Sequence, residues 1–422
     1  MHGCARLVSD KRGAFVRYIV RQIEKRVEDA LAVHPVIVLS GPRQVGKSTL
    51  LENARCLKGW KYITLDDADY LEQATEDPKG LLMEEIPTII DEIQRCPALL
   101  LTVKYYVDRS KRKRKFILSG SGNVSLRKAP RETLAGRAAY LHMTGFSQAE
   151  IQAYPGGCLL DAAFLGEEIK SAGGEYQGAL LDTIWRGGLP AVVLASKVKA
   201  AREIMAGYID TYIERDIQDL VKIRCPEHFR RLMEALAQAT GRESKQDELS
   251  KQCSEERSNV SRHISLLKNT QLLYELRGYS VKGERTYKQA KYFWFDSGTA
   301  CFMAGLHSPA DLEKSELRGN FFENHVFQQI LAWASIQTIH PELYYWRMKS
   351  EEKREVDFVI RHEKTVLPIE VKSASSLDFG DTRSIRDFLK AHPEAKRGLI
   401  VYGGWKVQHL ASNVVAIPWH LL

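Results

Sequence analysis

The segment HPVIVLSGPRQVGKSTLLENA, residues 34–54, sets Gly41, Gly46, Lys47 and Ser48 at the spacing G-x-x-x-x-G-K-[ST]. An apolar, β-branched run precedes the loop and a helix-forming run follows it, the context that a phosphate loop requires. Glycines let the backbone curl until successive N–H groups aim at phosphate oxygens, and the helix that follows adds the positive end of its dipole. Lys47 is placed to reach the β- and γ-phosphates, and the Ser48 hydroxyl to ligate Mg²⁺. The cradle is read as Gly41, Pro42, Arg43, Gln44, Val45, Gly46, Lys47, Ser48 and Thr49, with ATP and Mg²⁺ as what it holds.

A second constellation lies downstream. The run IPTIIDEIQRC ends its apolar stretch in Asp91 and Glu92, as a fully buried parallel strand does. At the C-terminal edge of such a strand, Asp91 can hold the metal and Glu92 can polarise the attacking water. A third strand, KFILSGS, ends in hydroxyls, and Ser119, with Ser121 as the alternative, is placed to sense the γ-phosphate. The third set is near the C-terminus: Glu323 on a helix, Asp357 in EVDFVI, and Glu370 and Lys372 in PIEVKSA. Two carboxylates converging on Mg²⁺ lower the pKa of a bound water, and a lysine beside them steadies the developing charge. The competing reading is plain: strand ends carry charges, and Glu-Lys two apart on a strand is a common ion pair.

These residues need elements to hold them. The order of phosphate loop, acidic strand and polar-ended strand predicts a P-loop, doubly wound parallel-sheet α/β core over residues 1–157. Glycine-rich breaks at 155–158 and 171–178 lead into a helical lid or linker, 158–225. There Tyr208, Tyr212, Arg215 and Asp219 recur at helical spacing and read as a packing and ion-pair face. Residues 226–290 show two short amphipathic helices followed by strand-like alternation, a winged helix-turn-helix pattern. Its second helix is expected to be capped by Ser254 and to bury Val260, Ile264 and Leu267. Ser258, Asn259, Ser261, Arg262 and His263 would be exposed, where DNA is the partner they would meet. The other use of such a module is packing. Residues 291–422 carry the third set, with Phe322, Val326 and Ile330 as the apolar stripe beside Glu323.

At 422 residues with 44% hydrophobic content, the chain is long enough for several domains. Seven cysteines lie far apart with no CxxC, and twelve histidines form no HExxH, so neither a disulfide framework nor structural zinc is supported. No apolar run is long enough to span a membrane and no secretory leader is evident, so a cytosolic location is expected. The net charge of +8 is compatible with a polyanionic partner. The densest basic run, residues 109–115, reads either as a solvated approach to the next strand or as a phosphate-contacting patch.

The blocks GPRQVGKSTL, TLDDADYLEQATEDP, IPTIIDEIQRCP, KFILSGSGN and LAGRAAYLHMTGFSQAE together resemble prokaryotic AAA-type ATPases that carry a fused C-terminal domain of unknown function. The resemblance extends over nearly the whole chain and implies ATP hydrolysis with Mg²⁺. Arg137 in LAGR matches a recurring arginine of that family, either an arginine finger, which would require self-association, or a structural arginine paired with a carboxylate. The order of helix Glu, strand Asp and Glu-x-Lys resembles the restriction-endonuclease-like fold, which makes Glu323, Asp357, Glu370 and Lys372 a candidate nuclease site. Three functions stay open: an ATPase that moves the attached modules, a nucleotide-switched binding protein with an inactive nuclease fold, and an ATP-regulated nuclease.

Overall fold

The computed structural model describes residues 5–9, 15–120, 132–152, 159–169, 178–211, 225–280, 289–348 and 354–422. Ser121, Tyr212, Arg215, Asp219 and most of the two glycine-rich breaks lie outside the described residues. The chain forms two compact bodies, the first made by Met1–Phe146 together with Asn269–Gln271 and the second by Ser147–Lys268 and Leu272–Leu422.

The first body opens with a small antiparallel ladder, β1 (Ala5–Ser9) on β2 (Phe15–Ile19). Its main sheet holds β3 (Val36–Ser40), β4 (Lys61–Thr64), β5 (Thr88–Asp91), β6 (Phe116–Ser119) and β7 (Ala138–His142), ordered β4-β5-β6-β3-β7 and parallel throughout. Sequence explains the order. The three inner strands, VIVLS, TIID and FILS, are buried along almost their whole length and read as continuous apolar runs. The outer strands, KYIT and AAYLH, mix buried with half-buried residues, as edges do. Val38, Ile63, Ile90, Leu118 and Val103 of the helix Leu99–Arg109 meet in one core cluster.

The basic run that follows that helix is largely tied into this body. Arg114 is buried, with its guanidinium 4.5 Å from the Tyr106 ring centroid and bonded to the Glu84 carbonyl. Lys115 donates to the carbonyls of Leu31 and His34 at 2.8 and 3.3 Å, and Arg112 to that of Gly136 at 3.2 Å.

In the second body, one sheet of nine strands among the described residues runs through both of the modules that the sequence suggests are separate. Its strands are β8 (Glu243–Ser244), β9 (Leu273–Gly278), β10 (Ala290–Trp294), β11 (Glu342–Arg347), β12 (Glu355–His362), β13 (Thr365–Lys372), β14 (Gly398–Tyr402), β15 (Gln408–Ala411) and β16 (Val414–Pro418). Their order is β15-β16-β14-β13-β12-β11-β9-β10-β8. The ladder crosses the expected boundary at 290/291 twice: β10 pairs with β8 and β9, and β9 pairs in parallel with β11 through Tyr344↔Arg277 and Tyr345↔Gly278.

Helices Pro226–Gln238, Gln246–Cys253 and Arg257–Asn269 accompany β8, β9 and β10. Val260, Ile264 and Leu267 are buried, as their spacing predicts. Two expectations are corrected. His263 is 2% exposed and packs edge-on against the Phe229 ring, because it falls on the same side of the helix as Val260 and Leu267. Ser254 adopts a left-handed conformation at the C-terminal end of Gln246–Cys253, three residues before the next helix begins, so it closes one helix rather than capping the other.

The helix Arg318–Ile336 is buried on almost every side, which a single apolar stripe did not foretell. Its polar residues are matched to backbone groups that would otherwise be stranded in the interior. Asn324 accepts from Trp294 N at 2.8 Å and from the Thr240 hydroxyl at 2.7 Å, and donates to Trp294 O at 3.1 Å. Gln328 accepts from Ser297 N, and Gln329 from Gln148 N.

Candidate functional site

The phosphate loop joins β3 to the helix Lys47–Asn53, with Gly46 in a left-handed conformation at φ 95° immediately before it. Gly41 has a packing reason to be glycine. A Cβ there would lie 2.2 Å from the Met143 carbonyl oxygen. Lys47 is 7% exposed, and its ammonium donates to the carbonyls of Gly41 and Pro42 at 3.0 and 2.8 Å. Burial pulls its pKa down to about 8, against the opposing pull of Glu92 and Asp91.

Ser48 Oγ donates to Asp91 Oδ2 at 2.7 Å, bringing together the two residues expected to hold Mg²⁺. The Tyr62 hydroxyl donates to the same oxygen at 2.7 Å, and its pKa is raised by burial and then by the Asp91 charge. Glu92 follows in a left-handed conformation, φ 56° and ψ 39°. For a non-glycine residue that costs roughly 1–3 kcal/mol. The Glu92 carboxylate accepts a hydrogen bond from Gln94, and burial raises its pKa. Ser119 ends β6, the strand between β3 and β5, and its buried Oγ has no partner among the described residues. A buried orphan hydroxyl between the phosphate loop and the acidic strand suits a γ-phosphate contact. The loop glycine that no Cβ can replace, the adjacent hydroxyl and carboxylate, and the orphan hydroxyl together fit ATP with Mg²⁺.

Two members of this site carried no signal in the sequence. Tyr62 sits on an edge strand outside any motif. Arg21 is 5% exposed and donates to the carbonyls of Val45, Thr144 and Gly145 at 2.8, 2.8 and 3.0 Å, bracing the phosphate loop from behind. An isolated arginine before a helix gives no such hint.

Arg137 is placed elsewhere. Its carbonyl accepts from Val36 N, at the opposite end of β3 from the phosphate loop, and its guanidinium grips Asp108 through two bonds of 2.6 and 2.9 Å. It cannot serve the phosphate loop of its own chain. The geometry is that of an arginine holding two segments together.

The C-terminal set is brought together only in part. Lys372 Nζ is 2.8 Å from Glu370 Oε1, and Asp357 Oδ2 accepts from Val371 N at 2.7 Å. Between β11 and β12 the register shifts: Tyr344 and Trp346 oppose Val359 and Val356, so β12 carries an additional residue beside Asp357. Such a bulge re-aims a side chain, and nothing in EVDFVI announces it. Burial, followed by the Asp357 charge, pushes Glu323 well above the usual carboxylate range and Glu370 up to about 8. Burial also raises Asp357. One residue that sequence reasoning passed over stands among them: Lys291 on β10, 4% exposed and ion-paired with Glu355. Among the described residues, no three His, Cys, Asp or Glu side chains converge as ligands for one ion.

The parallel sheet and its phosphate loop have the form of a P-loop ATPase core, and residues 33–152 match the AAA domain family. Residues 177–310 and 318–422 match two domains of unknown function, DUF8612 and DUF4143. The chain is 26% identical over 403 residues to the uncharacterized proteins Mb2031c of Mycobacterium bovis and Rv2008c of Mycobacterium tuberculosis, spanning 94% of this chain and 83% of each of theirs. Among solved structures, the Walker-type ATPase PABY2304 of Pyrococcus abyssi aligns with 71% of this chain and 98% of its own at 16% identity and a TM-score of 0.41. The Holliday junction branch migration motor RuvB of Thermotoga maritima aligns with 63% of this chain and 91% of its own at 16% identity and a TM-score of 0.30. No helix among the described residues is long and apolar enough to cross a membrane.

Proposed function

We propose that this protein is a Mg²⁺-dependent ATPase whose nucleotide cycle acts on a winged helix and a restriction-endonuclease-like C-terminal fold, with DNA as the partner of the winged helix. The observation that carries the reading is the Lys47–Ser48–Asp91 cluster, in which the ammonium rests on the loop carbonyls and the hydroxyl bonds to the acid at 2.7 Å. Bound Mg²⁺ would neutralise charge on the β- and γ-phosphates, with Ser48 and Asp91 as the protein's contribution. Lys47 turns from the loop carbonyls to phosphate oxygens, Glu92 orients the attacking water, and Ser119 Oγ donates to the γ-phosphate. Burial raises the Glu92 pKa, the direction that strengthens a carboxylate as a proton acceptor.

The winged-helix reading of residues 226–290 rests on three helices packed with a small antiparallel sheet that β10 completes, and on Ser258 and Arg262 standing exposed on the last helix. The restriction-endonuclease-like reading rests on the Asp357, Glu370 and Lys372 strand pair with Glu323 on the helix nearby. A second reading, a nucleotide-switched binding protein with little turnover, is favoured by the Gln94 bond that engages Glu92. Steady-state ATP turnover with and without duplex DNA separates the two. The ATPase reading expects turnover that falls by at least about a hundredfold in Lys47→Ala, the scale of losing a main charge-stabilising group. Undiminished turnover in that variant would refute it.

A further inference from the structure

The basic run of residues 109–115 divides into two sets. Arg112, Arg114 and Lys115 donate to carbonyls of the first body, so their charges serve the fold. Arg109, Lys111 and Lys113 stand exposed, and none of them forms an ion pair among the described residues. The acid beside them, Asp108, is already gripped by Arg137.

The turn that displays these cations is held in a costly conformation. Lys111 and Arg112 are consecutive non-glycine residues in the left-handed region, at φ 51° and 64°. Glycine would take either position with less strain. The turn is nonetheless fixed: Lys111 N, Arg112 N and Lys113 N donate to Asp108 O, Val107 O and Ser110 O at 3.1, 2.9 and 3.2 Å, and Arg114 N to Ser110 Oγ at 3.1 Å. The dipole of the helix Leu99–Arg109 favours cations at this end, but that effect is small beside the strain of two left-handed side chains.

An aromatic ring lies next to the charges. Leu101, Tyr105 and Arg109 follow one another at four-residue spacing along one side of the helix. Leu101 is 65% exposed and Tyr105 42%. Arg109 Nη1 donates to the Tyr105 hydroxyl at 2.8 Å, and Lys79 Nζ lies 5.1 Å from the ring centroid, so the ring is fixed among cations. Cations for phosphates beside a ring for a base is the combination that binds single strands with little regard to sequence. A duplex turns its base faces inward and would leave Tyr105 and Leu101 unused. An acidic peptide would answer the charges but has no base to lay on the ring.

We propose that the Leu101–Tyr105–Arg109 stripe and the turn carrying Lys111 and Lys113 form a binding surface for single-stranded nucleic acid, with the cations on backbone phosphates and Tyr105 against a base. Every residue of this surface belongs to the first body, so the proposal is independent of the winged-helix reading.

The test is fluorescence anisotropy of the full chain with a labelled oligothymidylate, repeated over about 50–200 mM salt. The unaltered chain should bind it. Lys111→Asn combined with Lys113→Gln, asparagine being tolerated in the left-handed region, should make the slope of log affinity against log salt shallower by about 1.4, the share of two single-strand phosphates. Tyr105→Ala should weaken binding roughly 5- to 150-fold and leave that slope unchanged. No binding by the unaltered chain, or an unchanged slope in the lysine variant, overturns the proposal even if another part of the chain holds DNA. A folded Tyr105→Ala chain that binds as well as the unaltered one overturns it in favour of a duplex. Polyglutamate that displaces the strand as well as unlabelled oligothymidylate does overturns it in favour of an acidic protein. Thermal melting checks that the variants stay folded, and the lysine pair, exposed at both positions, decides the matter if Tyr105→Ala does not fold.

Discussion

Lys47 is a cation kept in a dry place until phosphates arrive. With its pKa lowered to about 8 by burial, the nucleotide-free chain holds it charged at pH 7 and increasingly neutral above pH 8. ATP phosphates favour the ammonium, so binding must restore the missing proton. The sign follows directly: little proton uptake at neutral pH, and a fraction of a proton per ATP that grows as pH rises past about 8 toward the ordinary lysine range. Calorimetry near pH 8.5, in buffers of different ionisation enthalpy, should show binding heats that scale with the buffer, roughly as linkage requires. Heats indifferent to the buffer would mean that Lys47 is fully charged before ATP binds. Asp91 is equally prepared, since Ser48 and Tyr62 already donate to the oxygen that faces the loop.

Among elements, the helix Arg318–Ile336 shows what apolar spacing can and cannot reveal. Phe322, Val326 and Ile330 were legible as a buried stripe, and they are buried. The polar residues Asn324, His325, Gln328 and Gln329 look solvent-facing by composition yet are also enclosed, because Asn324, Gln328 and Gln329 pair with backbone groups distant in the chain and His325 with the Ser297 hydroxyl. Single-sequence periodicity counts apolar residues and has no means of counting remote carbonyls. The phosphate loop was readable for the opposite reason: its chemistry is local, and every participant apart from Arg21 and Tyr62 sits in a named motif. The bulge beside Asp357 and the arrival of Lys291 both depend on strand pairing between distant segments, so neither left a trace. Asn324→Ala tests the helix's structural role. It strands Trp294 N, Trp294 O and the Thr240 hydroxyl, and should destabilise the second body by about 2–5 kcal/mol in chemical denaturation. A loss under about 1 kcal/mol would show that water or a shifted neighbour replaces those bonds.

At the scale of the whole molecule, the second body behaves in the structure as one object built on one sheet. A fragment of residues 147–422 should fold and melt in a single cooperative transition, whereas a fragment of residues 291–422, cut at the boundary the sequence suggests, should not. The shorter piece loses β8 and β9 and the first residue of β10, together with Thr240, a partner of Asn324. Circular dichroism and calorimetry on the two fragments check this, and a well-folded 291–422 would show that the shared ladder is incidental. The parallel β9–β11 join also limits how such a chain can be inherited. Recombination at a boundary between true modules exchanges self-contained parts, but a crossover near residue 290 would leave two raw sheet edges, the surfaces through which chains aggregate. Residues 226–290 and the C-terminal strands are thus bound to descend together, as a block that selection can reshape on its surface and cannot easily divide.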